Sequence, residues 1–265
     1  MKILVTGSAG FIGFHISKLL LRKKNIVLGL DNLNIYYDVK LKKKRISILK
    51  KYKNFNFKKI DISNFNLLKK VVEKFQPDLI INLAAQAGVR YSFIKPQLYV
   101  NSNIKGFLNI LEICKILNIK NLLYASSSSV YGDNSNKPFK ESDVTDLPKQ
   151  VYAVTKKTNE YLAGIYNKIY KINCVGIRFF TVYGPYGRPD MAIYKFVNRI
   201  LQRKEIEVFN YGNHKRDFTF IDDVTNALYL IIKKMKNQKL VFKNTVFNIA
   251  NGKSEKIADM IESIE

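Results

Sequence analysis

One turn close to the start of the chain, Gly7-Ser8-Ala9-Gly10-Phe11-Ile12-Gly13, constrains the fold more than any other feature. It follows a short apolar strand, Lys2 to Thr6, and opens a stretch with helical periodicity, Phe11 to Leu21. Glycines at the first two positions permit a tight turn and let a pyrophosphate approach the backbone. The third lets helix and strand pack closely, and the helix N-terminus attracts phosphate charge. A glycine triplet alone is a weak signal; its place between a strand and a helix gives it weight. Asp31 closes the next strand, eighteen residues beyond Gly13. A carboxylate there can accept a hydrogen bond from an adenosine ribose 2′-hydroxyl and repels a 2′-phosphate, which favours NAD over NADP.

The pattern that follows alternates strand and helix. Strands are expected at Ile26 to Leu30, Phe55 to Ile60, Asp78 to Leu83, Asn121 to Ala125 and Cys174 to Phe179. Helices are expected at Lys40 to Lys53, Asn64 to Phe75, Asn101 to Leu117 and Gln150 to Tyr170. Such alternation implies an α/β fold, a Rossmann-type doubly wound parallel sheet with helices on both faces. After Phe180 the texture changes. A Gly/Pro-rich loop from Tyr183 to Pro189 leads to a helix, Met191 to Arg203, two short segments (Ile206 to Phe209 and Asp217 to Ile221), a helix from Asp223 to Lys234 and a strand from Val246 to Ala250. Residues 1–180 are therefore expected to form the dinucleotide-binding domain, with 217–250 returning to it. Residues 181–216 and 251–265 are expected to form a smaller substrate lobe. The sequence stops at Glu265 in a helical stretch with no capping signal, so this lobe reads as partly missing.

With 265 residues and 47% apolar side chains, the chain can bury a substantial core. It has no apolar run long enough to span a membrane. The basic cluster Arg22-Lys23-Lys24 lies on the wrong side of the first apolar stretch for a signal peptide. The net charge is +24, but only 8 of the 45 basic residues are Arg and the lysines are scattered. Patches rather than totals bind phosphate backbones, so no nucleic-acid partner is expected, although the field favours anionic small molecules. Cys114 and Cys174 lack metal-ligand spacing and suit a reduced, cytoplasmic setting. His15 reads as packing or a surface tip and His214 as a loop residue. No metal is expected.

Two further motifs carry chemistry. In Tyr152-Ala-Val-Thr-Lys156 the phenol and the ammonium share one helix face. A neighbouring ammonium stabilises a phenolate and so lowers the tyrosine towards use as a general base. Ala125-Ser126-Ser127-Ser128-Ser129-Val130-Tyr131-Gly132 ends a strand, where open α/β sheets place ligands, and its hydroxyls can share a proton with Tyr152 and bond a sugar.

Together these segments resemble the extended short-chain dehydrogenase/reductase family, among the NAD-dependent epimerases and dehydratases, over nearly the whole chain. Within it the closest likeness is to the UDP-glucuronate 4-epimerases, carried by Ala85 to Ser92, Ser126 to Gly132 and Arg178 to Ala192. The resemblance implies a catalytic set of Ser127, Tyr152 and Lys156. It implies an NAD site of Gly7, Gly10, Phe11, Ile12, Gly13, Asp31, Asn32, Asp61, Ile62, Leu83, Ala84, Ala85 and Phe179, joined by Tyr152 and Lys156. Asn101 takes the place of a structural asparagine. Ser128, Ser129, Thr181 and Arg188 are implied to hold a uronate carboxylate, Arg216 the UDP pyrophosphate, and Arg90 the substrate. The implied reaction interconverts UDP-glucuronate and UDP-galacturonate through a 4-keto intermediate, with transient hydride transfer to bound NAD, in a homodimer paired through Asn101 to Leu117 and Gln150 to Tyr170. Related dehydratases and decarboxylating enzymes carry acids after the catalytic hydroxyl residue, where this chain has Ser128-Ser129. UDP-glucose 4-epimerase is the main rival; a truncated, inactive or regulatory NAD-binding protein is the alternative from another class.

Overall fold

Adjacent residues of the first strand, β1 (Lys2–Thr6), bury their side chains on opposite sides. Ile3 and Val5 join one apolar cluster and Leu4 joins another. The division recurs in Val27 and Leu28, Leu123 and Leu122, and Val175 and Cys174. Strands buried on both faces show apolar runs rather than alternation and need helices on each side. The computed structural model describes residues 1–134, 138–213, 215–237 and 244–265. In it β1 is followed by α1 (Phe11–Arg22), β2 (Ile26–Asp31), α2 (Val39–Leu49), β3 (Phe55–Lys59), α3 (Phe65–Phe75) and β4 (Leu79–Asn82). Next come the short helices α4 (Tyr91–Ile94) and α5 (Pro96–Tyr99), a π-helical turn (Val100–Lys105) and α6 (Gly106–Ile116). Then β5 (Asn121–Ser127), a 3-10 turn (Ser128–Tyr131), α7 (Val151–Tyr170), β6 (Asn173–Phe179) and β7 (Thr181–Tyr183) follow. The remainder is α8 (Ala192–Leu201), a 3-10 turn (Phe209–Gly212), β8 (Lys215–Phe220), α9 (Ile221–Lys236), β9 (Thr245–Ile249), β10 (Ser254–Lys256) and α10 (Ile257–Ile264).

Seven parallel strands form one sheet in the order β3-β2-β1-β4-β5-β6-β9. One apolar cluster unites it with α1, α2 and α9, through residues such as Phe14, Leu49 and Leu228. The other unites it with α3, α6 and α7, through Leu68, Phe107 and Ala163. This is the Rossmann arrangement. The chain steps outward from β1 to β3 and then returns to β4 on the other side, so the loops above β1 and β4 diverge and leave a crevice.

Three boundaries differ from the sequence reading. The helix expected from Lys40 to Lys53 ends at Leu49, where the Tyr52 N–H and then the Phe55 N–H bond back three residues and turn the chain into β3. The helix expected from Asn101 opens as the π turn, whose wider i→i+5 spacing changes which positions face inward. Asn101 is exposed, and the structural asparagine is Asn103. Asn103 accepts from Gln86 N at 2.8 Å and donates to Gln86 O at 3.1 Å and Thr155 Oγ1 at 3.0 Å, joining the loop after β4 to α7. Finally, residues 217–220 do not return to the large sheet. They belong to β8, which pairs with β7 and β10 in a separate three-stranded sheet. The Asp217 carboxylate draws them there by accepting from Asn251 N at 2.8 Å and Gly252 N at 2.7 Å, just before β10.

Candidate active site

The crevice over β1, β4 and β5 is a cleft of about 2450 Å³. Every residue singled out above for cofactor, chemistry and sugar lines it, and the contacts those residues make differ sharply from one wall to the other.

The glycine turn forms one wall. Gly7 has φ +69°, and a Cβ there would lie 2.7 Å from Ala84 N. A Cβ on Gly13 would lie 2.1 Å from Gly7 O, so only glycine lets α1 start this close to the turn. Gly10 caps α1 without any side-chain bond, leaving the helix's positive end facing the cleft, as a diphosphate requires. Asp31 ends β2, accepting from Leu33 N at 2.8 Å through Oδ1 and from Ala9 N at 3.2 Å through Oδ2. Burial pushes its carboxyl up, against the pull of the Leu33 and Ala9 N–H groups, Lys42 and Arg45. Asn32 donates to Asp61 Oδ2 at 2.8 Å, and Ser63 donates to Asp61 Oδ1 from both N and Oγ. Burial would raise Asp61, but these bonds outweigh it and hold the carboxyl low. Ile62, Leu83, Ala84, Ala85 and Phe179 complete this wall. The cradle that Cβ atoms would fill, an uncapped helix start and a carboxylate at the end of β2 fit an NAD molecule.

The chemistry-bearing residues meet where β5 passes into α7. Ser126 turns away into a buried network, donating to Glu160 Oε1 at 2.6 Å, and Glu160 takes a bidentate pair from Arg178. Ser127 therefore points the other way; its Oγ accepts from Ser129 N at 3.2 Å and donates to Ser129 Oγ at 3.1 Å. Lys156 is buried, donates to Ala125 O at 2.9 Å and stands 5.9 Å from the Tyr152 ring centroid. Burial lowers its ammonium to about 8. The expectation that this ammonium lowers Tyr152 needs correction. Burial raises the phenol, and what opposes it is the charge of Arg188 and a hydrogen bond with Ser127.

On the opposite wall Ser128 and Ser129 lie in the 3-10 turn and Thr181 begins β7. Arg188 gives Asp190 a bidentate pair, Nε to Oδ1 at 3.0 Å and Nη2 to Oδ2 at 2.5 Å, and Tyr36 donates to Asp190 Oδ2 at 3.1 Å. Arg90 and Arg216 stand exposed on the rim. Sequence reasoning passed over Tyr36, Asp190 and Arg45, because nothing in their spacing shows that residues 36–45 meet residues 186–190. His15 is more than packing: its Nε2 bonds Pro185 O at 2.8 Å, between the edges of Phe11 and Phe14. His214 lies outside the described residues. Among the described residues no three His, Cys, Asp or Glu side chains gather as a metal site, and no helix is long and apolar enough to cross a membrane.

A fold with a parallel sheet, a glycine cradle for a dinucleotide and a Ser/Tyr/Lys set at one cleft defines an NAD-dependent enzyme of the short-chain dehydrogenase type. The sequence profile of the NAD-dependent epimerase/dehydratase family matches residues 3–250, and the chain belongs to that family. It is 46% identical to Protein CapI of Staphylococcus aureus, across the whole of this chain and 83% of that protein. It is similar to the crystal structure of the UDP-glucuronic acid 4-epimerase of Bacillus cereus in complex with UDP-glucuronic acid and NAD, at 36% identity and TM-score 0.92, covering 100% of this chain and 82% of that one. The UDP-glucose 4-epimerase of Thermotoga maritima with UDP-glucose is also similar, at 28% identity and TM-score 0.89, covering 100% and 81%. The chain is an epimerase, an isomerase that uses NAD.

Proposed function

We propose that this enzyme, a nucleotide-sugar 4-epimerase, interconverts UDP-glucuronate and UDP-galacturonate. The observation that carries the uronate is that Arg188 lines the same cleft as Tyr152, close enough for its charge to act on the phenol. In a uronate the carboxylate hangs on C5, next to the C4 that is epimerised. A cation in the same cleft as the hydroxyl that works at C4 therefore gives that carboxylate a partner. Asp190 takes the Nε and Nη2 side of the fork and orients the guanidinium in the cleft.

Tyr152 takes the proton of the C4 hydroxyl, with Ser127 bonded to it and the Lys156 charge near its ring. NAD, when bound, supplies the acceptor and donor of the C4 hydride. Ser128, Ser129 and Thr181 fix the carboxylate together with Arg188, and Arg216 and Arg90 take the diphosphate end. Gly7, Gly10, Phe11, Ile12 and Gly13 hold the cofactor's diphosphate; Asp31, Asn32, Asp61 and Ile62 hold its adenosine end; and Leu83, Ala84, Ala85 and Phe179 line the rest. A 4-keto uronate is a β-keto acid and loses CO2 when its C5 carboxylate aligns with the carbonyl π system, so a clamped carboxylate protects the intermediate. Ser128-Ser129, where related dehydratases carry acids, leaves no carboxyl at those positions to drive elimination.

Incubating the purified protein with UDP-glucuronate and with UDP-glucose, and resolving the products, tests the reading. Galacturonate formed at least about 100-fold more efficiently than galactose is expected for a buried charge partner; turnover of the neutral sugar alone overturns it. The same reading makes the protein a cytoplasmic homodimer. Val154, Tyr161, Ile165 and Ile169 expose one apolar face of α7, beside Leu108 and Ile116 of α6. Light scattering that returns a single chain's mass would remove the dimer.

A further inference from the structure

The inner face of α2 carries two cations, Lys42 and Arg45, among Ile46 and Leu49, while Lys40, Lys43 and Lys44 face outward. Arg45 is fully buried, and among the described residues no carboxylate lies within ion-pair distance of it. A buried charge needs most of its donors answered; Nε of this guanidinium has no partner among the described residues, and the two Nη groups carry all of its bonds. Here the acceptors come mostly from two loops. Nη1 donates to Ala9 O at 2.8 Å, inside the glycine turn, and to Tyr37 Oη at 2.8 Å. Nη2 donates to Tyr186 O at 2.6 Å and Gly187 O at 3.2 Å, immediately before Arg188. The planar fork is what lets one side chain bridge both loops. The second loop needs an anchor: Gly184 has φ +140° and Tyr186, not a glycine, has φ +57°. His15 on Pro185 and Tyr36 on Asp190 hold the same loop from the cofactor side.

We infer that Arg45 is a positioning residue that sets the Arg188 loop against the glycine turn, and so fixes the arginine's reach to a substrate carboxylate beside Tyr152. This inference rests on the uronate reading. Displacing a charge partner by about an ångström costs substantially, whereas a ligand without the carboxylate is indifferent to the shift.

The test is calorimetric binding of UDP-glucuronate and UDP-glucose, in saturating NAD, to the unsubstituted protein, Arg45→Lys, Arg45→Gln and Arg188→Met. Two Arg45 variants are used so that one that fails to fold, seen by its melting curve, leaves the other to decide. Lysine cannot span both loops, so Arg45→Lys should bind UDP-glucuronate about 5- to 20-fold more weakly and UDP-glucose within about twofold of normal. Equal losses for both sugars would make Arg45 a general clamp and overturn the inference. Full discrimination retained in the Arg45 variants would overturn it as well. An unsubstituted protein that, like Arg188→Met, fails to prefer the uronate would instead sink the substrate reading, and the Arg45 inference with it.

Discussion

On the cofactor wall of the cleft, one seven-residue turn does most of the shaping, and does it with backbone: Gly7, Gly10 and Gly13 matter for the Cβ atoms they lack. On the wall proposed to hold the sugar the groups come from separate stretches, Arg90 after β4, Ser128 and Ser129 after β5, Thr181 on β7, Arg188 in the following loop and Arg216 on β8. Each of these presents a long or rotatable side chain whose position depends on neighbours distant in sequence. A site made of backbone tolerates no substitution but depends on little else. A site made of side chains can be retuned residue by residue, and it leans on supports such as Arg45, Tyr36 and Asp190.

Substitutions can break this contrast, and the largest effect falls where the two walls meet. Tyr152→Phe should lower epimerisation about 1000-fold or more, the upper range for a lost acid–base group, with NAD still bound; retained turnover would remove Tyr152 from the chemistry. Gly13→Val should come next. Its Cβ would collide with Gly7 O, a backbone atom that cannot yield, so NAD affinity should fall about 100-fold or more in a binding titration. Arg188→Met should leave that titration unchanged, and an equal loss there would dissolve the division into two walls.

Lys156 gives a pH-dependent effect. Its ammonium is lowered from an ordinary 10.5 to about 8 by burial. The unfolded chain therefore holds that proton more tightly than the folded one. The side chain costs stability below about pH 8, and the cost fades as pH rises from there to about 10.5. Lys156→Met should stabilise the protein by about 1–3 kcal/mol at pH 7, allowing for the lost bond to Ala125 O, and by nothing near pH 10. Melting curves across that range that show a constant difference would refute the burial argument. The smallest effect distinguishes two asparagines. Asn103→Ala should cost about 1–3 kcal/mol for its three buried bonds, and Asn101→Ala less than about 0.5. The reverse order would restore the reading taken from the sequence.

What could be read along the chain was whatever is encoded locally. The glycine turn, Asp31 at a strand end and the Tyr152/Lys156 spacing are short-range patterns, so the parallel sheet, the dinucleotide cradle and the proposed catalytic set were legible in the sequence. Short apolar runs marked most of the strands for the same reason, since period and apolarity are properties of neighbours. Wherever an outcome depended on long-range geometry, only the tertiary structure decided it. The π turn put Asn103 rather than Asn101 inward. Asp217 drew its strand into the small sheet by bonding residues more than thirty positions away. Burial raised Tyr152, although the local spacing alone argued for the opposite shift. Arg45 and Tyr36 reach a loop 141 and 154 residues further on, a meeting that no local pattern in the sequence encodes.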